Sequence, residues 1–286
     1  MSNQITHRSP LPERIPVYIG RQEFVVAYAK GKDVLHLGCV DEGMIEIKQQ
    51  RGLWLHERLS QVTNSLWGID IDAEGVEQMR AQGFTNLYAA DIENLASIPH
   101  VLEKEFDLLL LSEVLEHLDN PGRFLSNLKS LFGPETEMLV TVPNSTSLAN
   151  LLENWRGVEL VHPDHNYWFS LHTVQAIFNK YGYNANCLGV YSHYDYRRSL
   201  TGHQWKKLKR LFGMSSTPSQ LSSPALSPPI KQKRTTPNLI GWIQAIFTTS
   251  LYRFVLSHHP FFADGLIFIV KPTALDRDHF DIQSQG

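Results

Sequence analysis

Short apolar runs of strand length alternate along the chain with stretches in which apolar residues recur every three or four positions. Val34-Leu35-His36-Leu37-Gly38-Cys39, Gly68-Ile69-Asp70-Ile71-Asp72 and Ala90-Asp91 each carry a glycine or an acidic residue at the end of the run. A fourth run, Phe106-Asp107-Leu108-Leu109-Leu110-Leu111, leads into Ser112-Glu113. Between them, a helix is predicted over residues 19–29 and closed by Gly31. Another is predicted over 73–82, with Asp72 as its N-cap and Gly83 as its stop, and Pro121 starts a third that ends before Gly133-Pro134. Such alternation predicts a parallel sheet covered on both faces, with the carboxyl ends of its strands lining one crevice. Asp264-Gly265-Leu266-Ile267-Phe268-Ile269-Val270 reads as one more buried strand near the end of the chain.

Each strand end has a chemical reading. Gly38 lets the backbone turn tightly and approach a ligand, because no side chain stands in the way. Asp70, 32 residues later, offers a carboxylate to the two hydroxyls of a ribose. Asp91, another 21 residues on, is placed to accept from an exocyclic amine, and Ile71 and Ile92 offer apolar surface to a base. The pattern therefore calls for a nucleoside-like ligand.

Taken in order, these segments resemble the class I S-adenosylmethionine-dependent methyltransferases, of the small type 11/12-like family. The most specific portion is Ala90-Asp91-Ile92-Glu93-Asn94-Leu95 followed by Phe106-Asp107-Leu108 and Ser112-Glu113-Val114-Leu115-Glu116-His117-Leu118. Val140-Thr141-Val142-Pro143-Asn144 and His165-Asn166-Tyr167-Trp168-Phe169-Ser170 extend it, so that it covers about residues 33–191. The resemblance implies an α/β, Rossmann-like, doubly wound sheet of seven strands, mostly parallel, with an antiparallel last strand. It also implies S-adenosylmethionine as cofactor, with Gly38 at its methionine end, Asp70 at the ribose and Asp91 at the adenine. Cys39, Ile71, Ile92 and Ser112 complete the expected cofactor set. Two positions depart from the family pattern: His36 stands where an acidic residue is usual, and Val40 where a second glycine is usual. They motivate an alternative, a degenerate fold of this kind that binds partners without catalysis. A nucleotide-dependent oxidoreductase would prefer Gly-x-Gly-x-x-Gly at the first turn, which this chain lacks.

Composition narrows the setting. At 286 residues and 42% hydrophobic content, the chain can bury one large α/β core. Cys39 and Cys187 fall in different expected elements, so no disulfide framework is expected and a reducing, cytoplasmic compartment fits. The first 20 residues carry Pro10, Pro12 and Pro16 and no apolar core of a secretory signal.

The formal charge of -3 hides a segregation: residues 196–263 hold ten Lys and Arg and no Asp or Glu, leaving the rest strongly acidic. This divides the chain into a tail at 1–16, a core at 17–195, a basic helical insertion at 196–263, a last core strand at 264–272 and a tail at 273–286. Within the insertion, residues 214–230 are rich in Ser and Pro and read as a linker. Ile240, Ile243, Phe247, Leu251 and Phe254 then form an apolar stripe at helical spacing. That helix either packs on the sheet as a lid or, with its basic neighbours, lies on an anionic membrane surface. No nucleic-acid partner is indicated.

For methyl transfer, candidate chemistry lies past the fourth and fifth strand ends. Glu113, at a strand tip, is a candidate contact for the methionine amine or the acceptor; its plainer role is a helix first-turn carboxylate. Glu116 and His117 are expected to orient the helix. His165, in His162-Pro163-Asp164-His165, is a candidate base or acceptor contact. Its neighbours are chemically suited to zinc or iron, although no metal is assigned to them. Tyr167, Trp168 and Phe169 are expected in the core. His36 is expected to bond a neighbouring backbone group. The acceptor itself is expected to be a small or lipid-linked molecule.

Overall fold

The computed structural model describes residues 8–41, 43–193 and 251–273. Four strands, β2 (Asp33–Leu37), β3 (Ser65–Asp70), β4 (Leu87–Ala89) and β5 (Leu108–Ser112), form the half of the sheet that the apolar runs anticipate. β6 (Glu137–Pro143) follows, then β7 (Tyr183–Ser192) and β8 (Gly265–Pro272). An eighth strand, β1 (Val17–Ile19), lies at the edge, so the order is β1-β7-β8-β6-β5-β2-β3-β4. Every pairing is parallel except the two made by β8, which inserts antiparallel between β6 and β7.

The eighth strand corrects the expected seven. The predicted helix from residue 19 begins instead at Arg21, because residues 17–19 pair in parallel with Val190, Tyr191 and Ser192. A run of three residues, Val17-Tyr18-Ile19, is too short to show a periodicity; the open edge of β7 supplies the reason.

Side chains alternate between the two faces along each strand. Leu109 and Leu111 join one core with Met138, Val140 and Phe268, against α6 (Pro121–Asn127) and α8 (Leu171–Lys180). Leu108 and Leu110 join the opposite core with Val25 and Ala29 of α1 (Arg21–Ala29) and Leu59 of α3 (Leu55–Ser60). Asp72 caps α4 (Ala73–Ala81) as expected, accepting from the Gly75 backbone N–H, and Asn120 caps α6 ahead of Pro121.

Residues 251–258 are helical, and Tyr252 and Leu256 are buried in the first core. The Tyr252 hydroxyl donates to Asp264, and Asn144 donates to the carbonyls of Phe261 and Ala263. The end of the basic insertion is thus tied to the tip of β6. The remainder of that insertion, residues 196–250 with the linker and most of the apolar stripe, lies outside the described residues, as do the first seven and last thirteen. Among the described residues, no helix is long and apolar enough to cross a membrane.

Candidate active site

The loop after β2 and the tips of β3 and β4 meet at one end of the sheet. Gly38 turns there with φ +75, its N–H bonded to the Ile69 carbonyl at 2.8 Å. A Cβ at Gly38 would stand 2.4 Å from Val114 Cγ2, so the glycine is required both for its dihedral and for the approach of the segment after β5. Cys39 follows, but its side chain turns away into a small cluster with Ile45, Trp54, Val76, Met79 and Leu87. Burial, then the nearby Asp70 carboxylate, push its thiol well up.

Val40 stands where a second glycine was expected. Its methyl lies where a Cβ at Gly75 would come within 2.4 Å, so its side chain packs on the first turn of α4. The Val40 N–H donates to Asp70 Oδ2 at 2.8 Å, and the Asp72 N–H donates to Oδ1 at 3.0 Å. Asp70 is 9% exposed; burial pushes its carboxyl up while these backbone donors hold it down. Each oxygen keeps a further lone pair for a ligand. Beside it Ile71, an apolar side chain at a strand tip, is 75% exposed among the described residues.

Asp91 is exposed, and its Oδ1 accepts from the Glu93 N–H, capping a 3-10 turn at Ile92–Ser97. Ile92 departs from expectation. It is 7% exposed and packed in the first core, because the turn that Asp91 caps rotates the next residue inward.

The tip of β5 brings together groups the sequence kept apart. Ser112 Oγ lies 3.0 Å from Thr141 Oγ1 on β6 and accepts from the Arg21 guanidinium of α1. Arg21 Nε is buried without a hydrogen-bond partner among the described residues. Sequence reasoning missed Arg21, although one signal existed: a cation in the first turn of a helix opposes the dipole and so calls for a separate reason.

Glu113 is not in a helix first turn. It ends the strand with φ +60, a left-handed backbone uncommon for a non-glycine, and its Oε1 accepts from the Tyr191 hydroxyl at 2.9 Å. Burial and the Glu113 carboxylate keep Tyr191 protonated.

Glu116 and His117 sit in a 3-10 turn of three residues, Leu115–His117, and are not simply its polar face. Glu116 is 1% exposed and both its carboxyl oxygens lack a partner among the described residues. Burial, then the Glu113 carboxylate, push its carboxyl well up and favour the neutral form, against a weaker pull from Arg21. The backbone N–H groups of Asn166 and Tyr167 bond the Glu116 carbonyl, which docks the 162–169 loop on this turn. His165 thereby comes to His117, their rings 4.7 Å apart edge to face, with His162 alongside. Burial lowers both His117 and His165. Of the aromatic trio, Phe169 is in the core, Trp168 is half-buried with its ring edge to His165, and Tyr167 is partly exposed with its hydroxyl on the Asp119 carbonyl.

His36 lies beneath this site on β2, with its Nδ1 3.2 Å from Nδ1 of His56 on α3. Its partner is therefore a side chain, where a backbone group was expected. Burial holds His36 well below the usual imidazole range and brings His56 down to about 4, so the pair is neutral and shares one proton across that contact.

The arrangement fits an adenosyl ligand with a charged amino-acid end. Asp70 keeps acceptors for a diol, Ile71 offers a face to a base, and the unpartnered edge of Arg21 beside Ser112 suits a carboxylate. A family model described as a methyltransferase domain matches residues 21–188. No curated protein matches the chain. Among solved structures, an S-adenosylmethionine-dependent methyltransferase from Archaeoglobus fulgidus is 16% identical, covering 88% of this chain and 95% of its own, with a TM-score of 0.45. One from Bacteroides fragilis, in complex with S-adenosyl-L-homocysteine, is 14% identical over 88% of this chain and 76% of its own, with a TM-score of 0.42. Magnesium protoporphyrin IX methyltransferase from Synechocystis is 19% identical over 58% and 73%, with a TM-score of 0.40.

Proposed function

The chain belongs to the methyltransferase domain family, and from that premise we propose that it binds S-adenosylmethionine across the tips of β2 to β5 and methylates a small or lipid-linked acceptor. The observation that carries this reading is Asp70, a nearly buried strand-tip carboxylate braced by two backbone N–H groups, with exposed Ile71 beside it. Asp70 takes the ribose hydroxyls, Ile71 lies on the adenine, and Asp91 accepts from the exocyclic amine with the lone pairs its cap leaves free. Gly38 and the Cys39 backbone pass close to the methionine end, whose carboxylate pairs with Arg21 beside Ser112. The bound sulfonium supplies an activated methyl group.

The protein's part is then alignment and exclusion of water, since in-line displacement needs little else. Glu113, held by Tyr191, faces the junction between cofactor and acceptor, and His165 presents an imidazole on the acceptor side. The acceptor reading draws on α7 (Leu148–Trp155) and the segment after it, where Leu151, Trp155, Val158, Leu160 and Val161 are all exposed, Trp155 at 92%. So much apolar surface beside the β6 tip suits an acceptor with an apolar part. The ten cations of residues 196–263 add a contact to an anionic membrane on its cytoplasmic side. Sedimentation with anionic vesicles at low salt should carry the protein down; equal recovery with neutral vesicles removes that contact.

Calorimetry with S-adenosylmethionine tests the core of the proposal. Asp70→Ala removes charge-assisted bonds worth about 1.5–3 kcal/mol, so affinity should fall roughly tenfold to a hundredfold. An unchanged dissociation constant in a folded variant would sink the assignment.

A further inference from the structure

Three histidines converge at the mouth of the crevice, and we propose that His117, His162 and His165 hold a divalent transition metal ion of the zinc class. One ligating nitrogen from each ring lies within 4.8 Å of the others. Three nitrogens bound to zinc at about 2.0–2.1 Å stand about 3.3 Å apart, so small ring movements close the site. Only His165 and His162 are near in sequence; His117 arrives from the turn after β5. The sequence alone offered two histidines and a carboxylate, and the third imidazole is the work of the fold.

The surroundings are those of a ligand set more than of a packed core. His117 Nδ1 lies 3.1 Å from the Asp164 carbonyl. A carbonyl only accepts, so Nδ1 carries the proton and Nε2 keeps its lone pair for a metal, the arrangement by which outer hydrogen bonds orient ligating histidines. His165 Nδ1 is buried and has no partner among the described residues, and the same holds for both carboxyl oxygens of Glu116 next to His117. Buried polar atoms without partners are uncommon and call for a missing partner. His162 is exposed, with its Nδ1 3.3 Å from the Asp164 N–H and 3.5 Å from Asp164 Oδ2. Both contacts are at the edge of hydrogen-bond range, so this ring is free to swing onto an ion.

The backbone holds the cluster in place whatever the rings do. The Asn166 side chain bonds the His117 carbonyl, and the His165 N–H bonds the His162 carbonyl. Three imidazoles leave at least one position open in a tetrahedral set, which is the pattern of a site that binds a second molecule. The ligand for that position would be an oxygen of the acceptor, a carboxylate, or a hydroxyl whose loss of a proton to solvent the ion would favour. This last step rests on the methyltransferase reading; the metal site itself does not.

Calorimetry with zinc chloride alone tests it, on the full chain and without cofactor. One equivalent should bind in the wild type. His162→Gln and His165→Gln should each weaken it at least about tenfold, and the double variant should abolish it. His172→Gln, an exposed histidine on α8, is the control and should bind as wild type. Thermal unfolding of each variant without metal separates misfolding from ligand loss, and exposed His162 is the safest replacement. No binding, or one equivalent retained in a folded double variant, overturns the site. So does magnesium binding of equal strength that ignores the histidines, since that describes an oxygen site. Zinc binding without S-adenosylmethionine binding keeps the metal and removes the methyltransferase reading; the reverse removes only the metal.

Discussion

The two halves of the crevice are built on opposite terms. On the side of β2 to β4, the carboxylates are spoken for: Asp70 has two backbone donors, Asp72 caps α4, and Asp91 caps its own turn. On the side of β5 and the 162–169 loop, Glu116, His165 and Arg21 bury polar atoms that nothing among the described residues satisfies, and Glu113 holds a left-handed backbone. The first half is a preformed cradle, the part to which the proposed function assigns the cofactor. The second holds its groups in costly states, a condition that proteins keep where a ligand completes the set.

The largest effect should come from the cradle. Gly38→Ala places a methyl against Val114 at a positive φ, which should cost about 2–4 kcal/mol of stability and displace the loop. Chemical denaturation measures the first and cofactor titration the second. A variant as stable as wild type shows that the cradle is not rigid.

Beneath the cradle, the His36–His56 pair sets a pH limit. Both imidazoles are held below their unfolded value near 6.5, so the unfolded chain takes up protons first as pH falls. Stability is full above about 6.5 and should decline between there and about 4, by up to about 1.4 kcal/mol per pH unit for each proton. Unfolding midpoints across that range, with His56→Phe as comparison, should show the slope shrink in the variant.

On the other side, Glu116→Leu should leave stability within about 1 kcal/mol of wild type or raise it, because it removes an unsatisfied buried carboxyl, yet turnover on an acceptor should fall. A loss of several kcal/mol would mean that Glu116 is structural. Smallest in stability is Arg21→Met, which keeps the apolar stem and removes a cation from a helix start; a gain of a few tenths of a kcal/mol is expected. Its affinity for S-adenosylmethionine should fall about tenfold while that for adenosine holds, since only the former has the carboxylate.

The sheet was legible in the sequence because buried parallel strands must be continuously apolar and must end where polar groups emerge. Gly38, Asp70 and Asp91 were legible for the same reason: each closes a run. So was the cap at Asp72. Ile92 was misplaced because a cap sets the rotation of the residue after it, which spacing does not reveal. The packing of Val40 was not legible either, because Gly75, which leaves room for its side chain, is 35 residues away in another element.

What the sequence determined by itself is therefore the half of the site that chain order builds, a series of strand ends each carrying its own group. The other half exists only in the folded chain. Arg21 meets Ser112 across 91 residues, Tyr191 meets Glu113 across 78, and His117 meets the Asp164 carbonyl beside His165 across 47. The physical reason is that local periodicity encodes which face a residue takes, whereas the partner it finds there depends on which distant element the closed sheet brings over it.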